Sequence, residues 1–216
     1  MDNHPTDPDF QILKAALGLQ AFDGRRAQRL MEPAARGSPP RNFDTSGPLR
    51  EAAALAYVFE QGGLLRMPLT LRHPDLREHR GQVSLPGGRL DPGESLLEAA
   101  LREAREEIAL DTRPAESLGL LSPVHIPVTH TILYVHVARG PAPAALTPRP
   151  SEVERIEVVA LRDLLDPALR KRCTLNIQGQ SVDVPYFDVG GLFLWGATAM
   201  ALSELAERLR AASRFG

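Results

Sequence analysis

The sequence predicts a mixed α/β fold built on a mixed sheet, and three observations lead there. From Ala52 onward the chain is dense with short apolar and β-branched runs separated by turn residues. One strongly periodic helix interrupts them near the centre, and an amphipathic helix closes the chain. Strands do not alternate regularly with helices, so a repeating βαβ architecture is excluded.

The elements follow in order. Residues 1–45 form an N-terminal helical extension and linker, and residues 46–216 a single domain. Phe10, Leu13 and Leu17 recur at helical spacing, predicting a helix over 10–19. Asp23 is a good N-cap for a second short helix running to Met31. The Pro/Gly/Ser-rich stretch 33–48 reads as a linker or extended arm, suited to packing or a dimer contact rather than catalysis. Residues 54–59 and 63–71 predict a hairpin turned by Glu60, Gln61 and Gly62. A short strand over 82–85 ends at Pro86, Gly87 and Gly88. The strongest helix follows over 95–108. Strands are then expected at 117–122, 129–138, 155–161, 174–177 and 182–187, and the closing helix at 195–209. The Ala/Pro-rich loop 140–150 is expected to be mobile.

Composition removes several function classes. The 216 residues are 43% hydrophobic and 24% charged, values near globular averages that suggest neither disorder nor a fibrous protein. A formal net charge of −2 gives no electrostatic reason to expect nucleic-acid binding. Cys173 is the single cysteine, which rules out an internal disulfide and a cysteine-ligated metal. The opening residues lack a basic stretch followed by an apolar run, and no segment approaches ~20 consecutive apolar residues. The expected location is cytoplasmic.

The central helix carries the chemistry. Ser95 and Glu98 form a capping box that sets its start. Leu97, Leu101, Ala104 and Ile108 make a stripe expected to pack on the sheet. Glu103, Glu106 and Glu107 occupy i, i+3 and i+4, placing three carboxylates on one side. Like charges at this spacing cost a few tenths of a kcal/mol per pair, roughly, and they sit where the helix dipole favours cations. Arg102 and Arg105 could absorb some of that charge, so a solvated Glu-rich face explains the helix taken alone. The upstream residues tip the balance toward a divalent cation. Gly87 and Gly88 let backbone approach a ligand closely, and the turn Asp91–Pro92–Gly93 delivers Glu94 to the helix entrance. Hard Mg²⁺ prefers such carboxylate oxygens and shares its sphere with substrate phosphates.

Gly88, five residues, Glu94, seven residues, and Arg102–Glu103–Ala104–Arg105–Glu106–Glu107–Ile108–Ala109–Leu110 resemble the Nudix box, Gx5Ex7REUxEExGU with U aliphatic. Six of its seven fixed positions match, and Ala109 replaces the last glycine. The resemblance implies an α/β/α sandwich that hydrolyses a nucleoside diphosphate derivative with Mg²⁺ or Mn²⁺. It implies Glu103 and Glu107 as principal metal ligands, Glu106 as a third and the Gly88 carbonyl as a fourth. The three glutamates are the implied catalytic residues, while Glu94 and Arg102 tie the loop to the helix. Glu103 or a loop carboxylate, Glu152 or Glu154 being candidates, would take the proton from water. Alanine at 109 is expected to cost about 1 kcal/mol where a left-handed residue ends the helix.

A second resemblance lies just upstream. Thr70, Arg72, Arg77, Gly81, Val83 and Pro86–Gly87–Gly88 match the motif that the coenzyme A pyrophosphatase branch carries there, with His73 and Leu85 as departures. Residues 194–199 also resemble that branch. It implies hydrolysis of coenzyme A or an acyl derivative to 4′-phosphopantetheine and adenosine 3′,5′-bisphosphate. Arg72, Arg77 and Arg80, with Gly87 and Gly88, are the implied substrate contacts, arginine being suited to bidentate phosphate binding. The expected partner is therefore a small nucleotide, with no nucleic acid and no membrane, and with a homodimer left open. Two alternatives stand: a Nudix hydrolase acting on ADP-ribose or NADH, and a metabolite-binding regulator without catalysis. His125 and His130 flank a strand and read as ordinary core or surface histidines.

Overall fold

The computed structural model describes residues 8–35, 49–75, 81–177 and 179–213. Two short helices open it, α1 (Pro8–Leu17) and α2 (Gly24–Arg29), the latter capped by Asp23 accepting from the Arg26 N–H. The strands β1 (Ala34–Ala35), β2 (Arg50–Glu60), β3 (Leu65–Arg72), β4 (Val83–Ser84) and β5 (Gly87–Arg89) precede helix α3 (Leu96–Ile108). Then come β6 (Glu116–Leu120), β7 (Val124–Ile126), β8 (Thr131–Arg139) and β9 (Val153–Ala160). The chain ends with β10 (Arg170–Ile177), β11 (Gln180–Val189), β12 (Leu192–Trp195) and α4 (Gly196–Ser213). Most of the predicted arm, 36–48, lies outside the described residues.

β2 is the spine. It pairs with β8 in parallel from Arg50↔Thr131 to Val58↔Arg139, and with β5 antiparallel on its other edge. The predicted hairpin exists only at its tip, where Phe59 and Glu60 pair with Arg66 and Leu65. Beyond the tip β3 turns away to pair with β9 and β4. The sheet is thus mixed, as the sequence predicts. A smaller sheet places β11 between β10 on one edge and β1 and β12 on the other.

The alternation of β2 divides the core into layers. Ala54, Ala56 and Val58 face a cluster with Leu202, Leu205 and Leu209 of α4 and Leu13 of α1. Ala53, Leu55, Tyr57 and Phe59 face a second cluster with Ala99, Ala100, Ala104 and Ile108 of α3. Helix, sheet and helix stack as an α/β/α sandwich. The apolar stripe expected on α3 holds at Ala104 and Ile108, both fully buried, and shifts elsewhere. Leu97 and Leu101 are only partly buried, whereas Ala99, Ala100 and Ala104 are fully buried. Small side chains let the helix axis approach β2, and Glu107 is carried inside with them.

Residues of α1 and α2 are stitched to α4 through one buried carboxylate. Glu204, fully buried, accepts from the Ser122 N–H at 3.1 Å, Gln28 Nε2 at 2.9 Å and Arg208 Nε at 2.9 Å. Arg208 in turn donates to the carbonyls of Ala16 and Leu19 and lies 4.6 Å over the Phe22 ring. A Cβ on Gly24 would overlap Ser122 Oγ and the Glu204 carboxylate. Removing one partner of such a buried pair strands the other's charge. Glu204→Ala is expected to lower unfolding free energy by about 3–5 kcal/mol. Urea denaturation checks this, and a loss within the range of surface substitutions would refute the network's role.

Candidate active site

The loop entering α3 is shaped by glycine. The preceding strand, β4, ends ahead of Gly87 and Gly88 as the sequence predicts, and these glycines go on to form β5, paired with Ala54 and Ala53. A Cβ on Gly87 would lie 2.6 Å from the Ala53 carbonyl oxygen, and one on Gly88 would run into the Glu103 carboxylate. Only glycine lets this strand lie between β2 and α3. Ser95 caps the helix, with the Ser95–Glu98 box formed in both directions.

Arg102 holds the loop against the helix. Its Nε and Nη2 each donate to Glu94 at 2.9 Å, and Nη2 also donates to the Arg89 carbonyl at 2.9 Å. Its Nη1 donates to Glu103 Oε1 at 2.8 Å and lies 3.6 Å from Glu106 Oε2. The guanidinium hydrogen bonds hold the Glu94 carboxyl below the usual carboxylate range.

The three box glutamates occupy three environments. Glu106 is exposed; Glu103 is half-buried, and burial pushes its carboxyl up against the pull of Arg102. Glu107 is 2% exposed, and its Oε2 accepts from the Gly87 N–H at 3.2 Å. Burial pushes its carboxyl up to about 7, against the Gly87 N–H and Arg72, with the charges of Glu103 and Glu152 adding to the rise. Arg72, at the end of β3, places Nη1 3.6 Å from Glu107 Oε1. Arg77 and Arg80 lie outside the described residues.

The loop expected to be mobile is instead bonded to the site. Thr147 and Arg149 donate their N–H groups to the Ile108 and Glu107 carbonyls at 3.0 and 2.8 Å. This brings Glu152 close enough to raise both Glu103 and Glu107. Glu154, by contrast, is exposed on β9. Arg149 Nη1 stands 3.4 Å from Glu152 and 3.7 Å from Glu106. The spacing pattern held no signal for Arg149; its backbone bonds to α3 reveal it.

Among the described residues, no three carboxylates, imidazoles or thiols converge as a ready-made ion site, because arginines stand between the glutamates. The donor chemistry is nonetheless all oxygen, anionic and partly buried, which suits a hard divalent cation once the arginines give way. A groove of about 440 Å³ lies on a neighbouring flank of α3 beside Asp91, Glu98 and Arg105. Glu103 and Glu107 do not line that groove.

A NUDIX domain profile matches residues 49–174, more than half of the chain, and the chain belongs to this family of hydrolases. Among curated relatives, a mitochondrial coenzyme A diphosphatase of Homo sapiens is 34% identical over 164 residues, 74% of this chain and 69% of that protein. An uncharacterized Nudix hydrolase, NudL, of Salmonella newport is 38% identical over 162 residues, 73% and 81% of the two chains. Two solved structures share the fold at 20% identity. A Nudix hydrolase from M. smegmatis, RenU, has a TM-score of 0.54 with 80% of this chain and 93% of that one covered. A MutT protein from Methanosarcina mazei has a TM-score of 0.52, with 79% and 99% covered.

Ala109 ends α3 in the left-handed region at φ 53°, where the family pattern has glycine. Ala109→Gly is expected to raise stability by about 1 kcal/mol, read from urea denaturation. Glu107 takes up a proton more readily folded than unfolded. Its stabilising contribution is therefore present below about pH 4.5 and lost as pH rises through about 7. In chelator, Glu107→Gln and the wild type should be similarly stable at pH 5, while at pH 8 the variant should be more stable by about 1–3 kcal/mol. Parallel pH profiles would contradict the burial of a charged Glu107.

Proposed function

We propose that the chain is a Mg²⁺- or Mn²⁺-dependent pyrophosphohydrolase of coenzyme A or its acyl derivatives. The observation that carries this is the place of Arg72, brought by the upstream motif to within 3.6 Å of Glu107. A cation-bearing segment associated with coenzyme A thus adjoins the box carboxylates, and the human relative named as a coenzyme A diphosphatase supports the same substrate.

Glu103, Glu106 and Glu107 would hold the divalent ion, with the Gly88 carbonyl as a further ligand. The ion would supply neutralisation of pyrophosphate charge and a more acidic attacking water. Arg72, with Arg77 and Arg80, binds phosphate oxygens; the place of the latter two in this reading rests on the sequence motif. Glu152 accepts the proton from the attacking water, being the loop carboxylate nearest in charge to Glu103 and Glu107. The water oxygen bonds to phosphorus, the bridging P–O bond breaks, and 4′-phosphopantetheine and adenosine 3′,5′-bisphosphate leave.

The test is release of adenosine 3′,5′-bisphosphate from coenzyme A with Mg²⁺ or Mn²⁺, followed chromatographically. A kcat/KM for ADP-ribose or NADH more than about a hundredfold higher, roughly 2.7 kcal/mol of transition-state preference, would overturn the substrate. No turnover of any dinucleotide would favour a binding-only regulator. Glu107→Gln should lower kcat/KM by two or more orders of magnitude, on the order of 3 kcal/mol. Arg77→Ala should raise KM for coenzyme A more than for dephospho-coenzyme A; equal effects would remove Arg77 from recognition of the 3′-phosphate.

A further inference from the structure

One cation beside the carboxylates belongs to neither sequence motif. Arg149 sits in the loop before β9, and its backbone is pinned on both sides. Its N–H donates to the Glu107 carbonyl at 2.8 Å, and its own carbonyl accepts from the Glu152 and Val153 N–H groups at 3.0 and 2.8 Å. The side chain therefore starts from a set point over the last turn of α3. From there Nη1 bridges Glu152 Oε1 at 3.4 Å and Glu106 Oε2 at 3.7 Å.

This bridge is a poor candidate for holding the fold. The guanidinium is 47% exposed, and ion pairs of this kind contribute little to stability. The backbone bonds fasten the loop without it. What the guanidinium does supply is charge: it offsets two carboxylates that would otherwise repel each other and their neighbours.

The three arginines at the cluster differ in how firmly they are held. Arg102 is locked by paired bonds to Glu94 and by the Arg89 carbonyl. Arg72 is largely buried beside Glu107. Arg149 is the most exposed of the three, with two long contacts and an open side from which it can swing into solvent. We propose that Arg149 is the displaceable counter-ion of this site. It neutralises Glu106 and Glu152 while no divalent cation is bound and surrenders them when one arrives, so it competes with the metal. This rests on the reading above that the box glutamates hold the ion.

Mn²⁺ titration without substrate, read by the paramagnetic resonance of free Mn²⁺, tests it. The full-length wild type is compared with Arg149→Gln, Arg149→Lys and Glu107→Gln. Arg149→Gln should bind Mn²⁺ about 2- to 5-fold more tightly, the scale set by losing one weak competing ion pair. Arg149→Lys, which keeps the charge, should stay near the wild type. If Arg149→Gln binds equally or more weakly while Glu107→Gln loses affinity, the inference fails and the metal reading stands. If wild type and variants alike bind no Mn²⁺, both fail. Because the loop is fastened by its backbone, Arg149→Gln should unfold at the wild-type temperature. A large drop would show the bridge to be structural and would overturn the inference.

Discussion

The site depends on a carboxylate placed inside the protein. Glu107 is almost wholly buried between α3 and the sheet, where an ionised group is costly unless paired. Its burial has a plain steric origin. Alanines at 99, 100 and 104 bring the helix axis close to β2, and Gly87 leaves room for β5 beside Ala54. A bulkier residue on that helix face would lift the helix and let water reach Glu107, and one at Gly87 would drive β5 off Ala53 and Ala54. The same close approach supplies compensation, since it points the Gly87 N–H at the carboxylate and sets Arg72 alongside. Packing and electrostatics are thus one arrangement.

Around that buried charge, arginine and glutamate alternate. Arg72 meets Glu107, Arg102 spans Glu94, Glu103 and Glu106, and Arg149 spans Glu106 and Glu152. No carboxylate of the cluster is left without a nearby cation, yet none of these pairings consumes every oxygen lone pair. The pairs grade from locked to loose as they move outward from the helix entrance. Rigid pairing at Glu94 keeps the loop and helix in register, which a reacting site needs. Loose pairing at Glu106 keeps carboxylate oxygens exchangeable, which the proposed binding of a cation would need.

Much of this was legible in the sequence because local rules govern it. The capping box at Ser95, the i, i+3, i+4 glutamates and the loop spacing from Gly88 to Glu94 are short-range features, and the helix forms where they place it. The mixed α/β class was also readable from the density of short strands, while the α/β/α layering was implied by the family resemblance. What escaped depends on partners distant in the chain. β5 is a strand only because β2 lies beside it; Gly87, Gly88 and Arg89 carry no strand propensity. The first residues of β10, Arg170 to Arg172, are charged because they lie on a solvent-facing edge, so they read as loop. Of the stripe expected on α3, Ala104 and Ile108 are buried as read, but the packing takes Ala99 and Ala100 in place of the larger Leu97 and Leu101. β12 goes unread in the sequence, with only Trp195 falling inside the predicted closing helix, because its four residues are apolar in either conformation.

The loop carrying Arg149 and Glu152 shows how a helix end can recruit chemistry. The last carbonyls of an α-helix have no partner within it. Here Ala109, left-handed, lets its own N–H and that of Leu110 turn back to Arg105 and Ala104, leaving the Glu107 and Ile108 carbonyls to be met from elsewhere. The N–H groups of Thr147 and Arg149 meet them, so a backbone requirement of α3 sets the position of a loop more than thirty residues away in sequence. Once Arg149 is fixed over Glu107, the turn closed by the Glu152 N–H on the Arg149 carbonyl carries a fourth carboxylate toward Glu103 and Glu107. The box supplies three acids through helical periodicity, and the fourth comes from satisfying the carbonyls at the end of the same helix. That is why composition makes the intervening loop look unstructured while its final residues are held at the site.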